Sequence, residues 1–150
     1  MPRLLAACAG FLLAVLWMDL MFDFQALGGP PVLPEAVLSS IAAYYARVTT
    51  RSWPLGAAIG TVMAIAVGGA LIQVLRRRES RRRDVLALVL VAVPVGLALL
   101  RVFPNAVHLG MSSDPAAART DLARGILHDH LVCLAFIAGF LGLQLSDRHR

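Results

Sequence analysis

The sequence predicts an all-α integral membrane protein, a four-helix bundle with an outward-facing cap that includes a short interfacial helix. Three observations support this fold class. Of the 150 residues, 59% are hydrophobic and 15% are charged, with a mean hydropathy of +0.74; soluble domains have about 45–50% apolar and about 25% charged residues. Four apolar runs each approach the roughly 20 residues that cross a bilayer. All 14 basic residues are arginine, and many of them stand between the second and third runs.

The four predicted spans divide a single membrane domain, residues 1–150, into alternating crossings and connections. The spans cover residues 4–22, 53–75, 85–103 and 125–145. No small-residue cleavage site follows the first span, so we expect it to remain as an anchor. Pro94 should bend the third span, and Pro104 stands just beyond its predicted end.

The distribution of arginine predicts the orientation in the membrane. With alternating crossings, nine arginines fall on the side of both termini and of the Arg-rich loop 76–83, and five fall on the other side. Positive charge marks cytoplasmic loops, so the termini should be cytoplasmic and the loops 23–52 and 104–124 should face outward. Arginine without lysine, beside abundant alanine, is typical of a GC-rich bacterial genome and indicates a bacterial inner membrane. The arginines that mark the cytoplasmic side also account for the pI of 10.6. We therefore do not expect a nucleic-acid partner.

The first outer connection contains a helical pattern. After Pro34, the apolar residues Val37, Ile41, Tyr44 and Val48 recur at helical spacing. Such a stripe is typical of a short helix lying at the membrane interface and capping the bundle. The alternative is an ordinary ordered loop.

The second span carries small residues on one face. Gly56, Gly60, Ala64 and Gly68 recur every four residues. A groove of this kind lets another helix approach closely in lipid. Besides the bilayer, the expected partner of this face is another membrane protein or a second copy of the chain.

Polar residues able to do chemistry collect near the outer end of the bundle. We take Asp19, Asp23, His108 and His128 as candidate catalytic groups, and Arg101, Asn105, Asp121 and Arg124 as candidate substrate-binding groups. Their convergence at one membrane level is the main indication of a site.

The two first-span carboxylates lie one helical turn apart, so Asp19 and Asp23 can share a face. Asp19 lies within the apolar run, where an unpaired charge costs about 2.5–3.5 kcal/mol. It should therefore face the bundle, with Arg101 as its counter-ion. One interpretation is a structural ion pair between helices, and the other is a carboxylate that handles protons or binds a ligand.

The histidines near the fourth span suggest a metal site. His128 and His130 point about 200° apart on a helix, so they do not easily ligate one ion together. His128 instead shares a face with Asp121 and with Arg124 or Gly125, and it should meet His108 and either Asp19 or Asp23. Two histidines with one or two carboxylates suit iron, zinc or manganese. The sequence itself requires no cofactor, and hydrogen-bonded interfacial histidines are the alternative.

The segment 101–110, RVFPNAVHLG, together with the four-span layout, resembles the anthrone-oxygenase-like group of small four-helix membrane proteins, many of them bacterial. The resemblance implies cofactor-independent oxidation of a flat phenolic or polyketide-like substrate at the membrane. It carries over no catalytic residue.

Three functional hypotheses follow from these patterns. The first is a membrane subunit or assembly factor without catalytic activity. The second is a membrane oxidoreductase acting on a lipophilic substrate that enters from the bilayer. The third is a small proton-coupled transporter.

Overall fold

A computed structural model describes residues 1–50, 53–76 and 81–146, and every regular element within these ranges is a helix. The elements are α1 (Pro2–Asp23), a 3₁₀ turn (Phe24–Ala26), α2 (Glu35–Thr50), α3 (Trp53–Arg76), α4 (Arg81–Leu97), a π-helical segment (Ala98–Val102), α5 (Phe103–Met111) and α6 (Ala116–Ser146). The all-α class predicted from the sequence is confirmed.

Four helical stretches are long and apolar enough to cross a membrane. They are Pro2–Ala26, Pro54–Arg76, Arg81–Met111 and Ala116–Ser146. Large apolar side chains such as Trp17, Leu75 and Leu100 lie exposed on their outer surfaces. These surfaces suit contact with lipid, because in water they would form extended apolar patches.

The four long helices form a closed ring. α1 packs against α6 and α3, and α4 packs against α3 and α6. Their inner halves enclose one apolar cluster that includes Leu5, Leu12, Val91, Ile137 and Phe140. This end of the bundle is filled by side chains, so the space for a site lies toward the other end.

A cap made mainly of α2 and α5 covers the outer end of the bundle. The two helices pack on each other, and both also contact α6. A side chain on Gly110 of α5 would come within 2.8 Å of the backbone nitrogen of Ala46 in α2, so only glycine permits this approach. α2 begins directly after Pro34, whose carbonyl accepts hydrogen bonds from Val37 and Leu38. The capping helix predicted from Pro34 onward is confirmed.

Two arginines of α6 hold the cap in place. Arg119 pairs with Glu35, and this guanidinium, together with the Ser39 hydroxyl, holds the pKa of the Glu35 carboxyl below its usual range. Arg124 donates hydrogen bonds to the carbonyls of Gly28, Pro30 and Pro31 in the loop before α2. Thr120 adds an anchor, because its Oγ1 accepts a 3.0 Å hydrogen bond from the backbone N–H of Leu33. The loop is thus tied to α6 at several points.

The third and fourth crossings extend further than the sequence pattern indicates. Pro104 does not end the third helix: the backbone widens into the π-helical segment just before it and continues as α5. Proline is tolerated there because it occupies the first turn of α5, where its missing N–H leaves no bond unmade. α6 begins at Ala116, so most of the predicted outer loop 104–124 is helical.

Among the described residues, the small-residue face of α3 has no close contact with another helix. Space for a side chain is open at Gly56, Gly60 and Gly68, and Ala64 is exposed. The close approach occurs at Gly69 instead, where an added Cβ would lie 2.6 Å from Leu5 Cδ2 of α1. The packing of α3 against α1 thus uses a neighbouring face.

The predicted loop 76–83 is shorter than expected, and residues 77–80 lie outside the described part of the chain. Arg76 ends α3 and Arg81 begins α4. Arg83 reaches across to α6 and donates hydrogen bonds to the Leu143 carbonyl and the Ser146 hydroxyl. This arginine therefore joins two helix ends in addition to contributing positive charge.

Candidate functional site

Five polar side chains meet where α1, α2 and α6 converge below the cap. We call them the carboxylate–histidine cluster: Asp19 and Asp23 of α1, Tyr44 and Tyr45 of α2, and His130 of α6. The one-turn spacing of the two aspartates places both carboxylates on the same side of α1. The adjacent tyrosines reach different carboxylates, so each carboxylate has its own phenol.

Asp23 forms the buried half of the cluster. Its side chain is 0% exposed and His130 is 6% exposed. Asp23 Oδ2 lies 2.5 Å from His130 Nδ1, and Asp23 Oδ1 accepts a 2.6 Å hydrogen bond from the Tyr45 hydroxyl. Burial and the nearby Asp23 raise the pKa of Tyr45, which keeps its hydroxyl a donor. A carboxylate here accepts from both neighbours, so the histidine proton lies on Nδ1.

Asp19 forms the more open half. The Tyr44 hydroxyl donates a 2.6 Å hydrogen bond to Asp19 Oδ1. Burial and the Asp19 carboxylate raise the pKa of Tyr44, and stacking on Phe22 with ring centres 3.9 Å apart fixes the ring. Asp19 Oδ2 lies 3.8 Å from His130 Nε2, too far for a direct hydrogen bond. These two atoms are therefore neighbours without a direct hydrogen bond between them.

A cavity of about 360 Å³ adjoins the cluster. Its polar end is formed by Asp19, Tyr44, Tyr45 and His130, whereas the remaining walls are almost entirely apolar. It lies between the filled inner half of the bundle and the cap. A volume of this size is at the lower end of the range found for small-molecule sites.

Exposed residues of α3 and of the third crossing form part of the cavity wall. They include Gly56 and Gly60 of α3 on one side and Leu99 and Phe103 on the other. Leu99 and Phe103 are more than half exposed, and they lie within the apolar stretch of the third crossing. This part of the wall is therefore both apolar and exposed, which is compatible with contact with lipid.

The π-helical segment shapes this wall. Ala98, Leu99 and Val102 line the cavity, while Arg101 points away from it and pairs with Asp129 of α6, Nε to Oδ2 at 3.2 Å. Single wide turns of this kind are frequent at functional sites. Nearby, the Cys133 thiol donates to the carbonyl of Pro94 at 3.7 Å, so the helix bend predicted at that proline also borders the cavity.

The structure divides most of the predicted site residues between two places. Asp19 and Asp23 share one cluster, as expected. Arg101 is not the counter-ion of Asp19, because the π-helical segment turns it toward Asp129. Asp129 is 3% exposed, and its Oδ2 has no aligned hydrogen bond within the part of the chain described here.

The expected meeting of His128 with Asp19 is wrong. The His128 side chain is 77% exposed, and its Nδ1 lies 3.7 Å from Oδ1 of the neighbouring Asp129. Residues two apart on a helix point in nearly opposite directions, and it is His130 that turns inward. The sequence contained this signal: Ile126, His130, Cys133 and Ile137 recur at spacings of three and four, and all are buried.

The remaining candidates lie in a separate, shallow outer groove. Arg101, Asn105, His108, Asp114 and Asp121 line it, and His108 Nε2 lies 3.1 Å from Asp114 Oδ2. This groove is on the surface between α5 and the start of α6. Arg124, expected to bind substrate, instead secures the loop before α2.

The metal set proposed from the sequence is not assembled. His108 lies in the outer groove, His128 is exposed, and Asp19 borders the cavity. In residues 1–50, 53–76 and 81–146, no three histidine, cysteine or acidic side chains are grouped closely enough to hold a metal ion.

The cluster that does form is an acid–base arrangement. A carboxylate fixes one imidazole nitrogen and leaves the other facing an apolar cavity, the geometry that general bases use. Comparison of the chain with protein-family models, with curated proteins and with solved structures finds no match.

Proposed function

We propose that this protein is a membrane enzyme that binds a lipophilic molecule and removes a proton from it, with His130 as the base. One observation carries the proposal: His130 lines the apolar cavity, and its Nδ1 is held 2.5 Å from the buried Asp23 while its Nε2 lies on the side of Asp19, another lining residue. The contact with Asp23 selects the tautomer in which Nε2 has a free electron pair.

The proposed step needs only residues of this chain. The bound molecule loses a proton from an acidic C–H bond, and the electron pair of that bond stays on the molecule. The proton binds to His130 Nε2, and the imidazolium formed is stabilised by Asp23. In a cavity that excludes water, this stabilisation is stronger than it would be in solution.

The cavity supports a lipophilic substrate rather than a water-soluble one. Its walls are apolar, and Gly60 and Leu99 are exposed wall residues on two membrane-length helical stretches, so an opening between them would face lipid. A molecule dissolved in the membrane reaches His130 through this opening without crossing the cap. The resemblance to anthrone oxygenases suggests a lipophilic substrate as well.

Deuterium uptake tests this function. The protein is purified from its native membrane in mild detergent, incubated in D₂O, and its bound small molecules are extracted and analysed by mass spectrometry. The parent protein should retain a lipophilic molecule and catalyse deuterium incorporation at the position that His130 deprotonates. His130→Gln retains a hydrogen-bond donor for Asp23 but is not a base, so incorporation should fall at least tenfold.

His128→Gln is the matched control, because it makes the same change on the exposed side of α6. It should exchange deuterium as the parent does. Equal incorporation in the parent and His130→Gln, with equal amounts of bound molecule, would refute the assignment of His130 as the base.

We further propose that the protein resides in a bacterial inner membrane with both termini in the cytoplasm. Arg3, Arg76, Arg81 and the tail arginines would then lie on the cytoplasmic side. Reporter fusions after residues 30, 79, 115 and 150 should read outside, inside, outside and inside. An exported reporter at position 79 would reverse the orientation and place the cavity in the cytoplasmic half of the membrane.

A further inference from the structure

The polar end of the cavity has an imbalance of both charge and hydrogen-bonding capacity. Asp19 Oδ2 has no described hydrogen bond, and neither has His130 Nε2, although His130 is more than nine-tenths buried. With Nδ1 protonated, both atoms are acceptors. The cavity therefore offers two acceptors and, at this position, no donor.

The charged groups around Asp19 do not correct this imbalance. α1 contributes Asp23, α2 contributes the neutral phenols of Tyr44 and Tyr45, and α6 contributes His130 and Cys133. The described residues of α3 and of the third crossing that line the cavity are all apolar. Arg101 and the buried Asp129 pair with each other outside the cavity lining.

With both aspartates ionised, the cluster has a formal charge of −2 when His130 is neutral and −1 when it is protonated. A second uncompensated negative charge is costly in an apolar region. One positive charge therefore belongs at this position, and a proton on Asp19, a proton on His130 or an external cation can supply it.

We propose that the cavity binds a lipophilic ammonium ion, which donates hydrogen bonds to His130 Nε2 and Asp19 Oδ2 and takes the place of one proton. This inference rests on the proposed function and names the class of its substrate. The ammonium group orients the molecule for the proposed step: as its hydrogen bond shifts to Asp19 Oδ2, a neighbouring acidic C–H bond passes its proton to His130 Nε2 and leaves its electron pair on the molecule.

The geometry fits a single nitrogen atom. The two acceptors are 3.8 Å apart, so one atom can lie at an ordinary hydrogen-bond distance of about 2.9 Å from both. The apolar walls accommodate the rest of the molecule, which includes the ring or chain that makes it soluble in lipid. One face of the Tyr44 ring is covered by Phe22 and is not accessible to the ammonium group. The carboxylate of Asp19 and the imidazole of His130 therefore recognise the ammonium group, rather than that ring face.

Binding of three probes of the same shape tests the inference: phenylbutylamine, phenylbutanol and phenylbutyrate. Calorimetric titration is performed on the full chain in nanodiscs, and the signal of empty nanodiscs of the same lipid is subtracted as membrane partitioning. The amine should bind at least tenfold more tightly than the alcohol, and the acid should not bind. Asp19→Asn should remove the preference for the amine.

The pH dependence provides a second measurement. The amine stays charged between pH 5 and 8, because ordinary alkylammonium groups titrate near pH 10. Its affinity should nevertheless fall by up to tenfold per pH unit on acidification, because each bound ammonium displaces one proton. In Asp19→Asn the affinity should vary much less.

The outcomes separate this inference from the proposed function. Equal binding of amine and alcohol, or no binding of the amine, overturns the ammonium proposal. Deuterium exchange that depends on His130 would still stand in that case. Tight, pH-dependent amine binding without any exchange would instead support the ligand class and contradict the catalytic role.

Discussion

His130→Ala should lower the free energy of unfolding by about 3–5 kcal/mol, the usual cost of removing one partner from a buried charged pair. The substitution leaves Asp23, which is fully buried, with an oxygen that no longer has its imidazole partner. The Tyr45 hydroxyl still donates to the other oxygen, but one neutral donor does not replace the histidine. Reversible unfolding in mixed micelles, followed by circular dichroism, measures the loss.

Two further variants make this prediction specific. His128→Ala removes the exposed neighbouring histidine and should change stability by less than about 0.5 kcal/mol, as surface substitutions usually do. Asp23→Asn combined with His130→Ala removes the stranded charge and should recover part of the loss. If His130→Ala and His128→Ala unfold alike, the Asp23–His130 pair does not stabilise the protein.

Gly60→Leu should weaken ligand binding at least tenfold and leave stability nearly unchanged. No atom lies within 4 Å of the position that its Cβ would take, so no helix is pushed away. Gly60 lines the cavity next to Ile59 and Met63, and the added side chain competes with a ligand for that space. Phenylbutylamine binding and thermal unfolding of the same preparations measure the two effects.

Gly69→Leu is the opposite case on the same helix. A Cβ there lies 2.6 Å from the fully buried Leu5, and overpacking of this kind typically costs about 1–3 kcal/mol. This variant should lose stability. If Gly60→Leu proved to be the destabilising substitution and Gly69→Leu the neutral one, the assignment of the two faces of α3 would be reversed.

Composition and periodicity were sufficient for the membrane class and the number of crossings, because lipid demands long apolar helices whatever their tertiary packing. The helix after Pro34 was also predictable, since a proline followed by an apolar stripe is a local signal. The continuation through Pro104 was not. It depends on the widened turn before that proline, which is a backbone feature that single-residue propensities do not encode.

The site was predicted only in part. Asp19 and Asp23 were recognisable because charges in an apolar run are costly and therefore must have partners. Which side chains pair with these aspartates depends on the rotation of α6 about its axis and on the position of α2 relative to α1. Packing between segments that are distant in sequence determines both. The buried stripe containing His130 and Cys133 would have indicated the rotation; the hydrogen bonds from Tyr44 and Tyr45 have no local sequence signal.

The π-helical segment divides the third crossing into two parts that have different neighbours. Below it, α4 faces α3 and α6; above it, α5 faces α2 and α6. The extra residue in the wide turn shifts the angular phase of the helix, so positions seven apart across Leu99 and Leu100 do not fall on one continuous face. Substitutions in α4 can therefore adjust the packing of the bundle without altering α5. Substitutions in α5 can likewise adjust the cap and the cavity wall without altering α4.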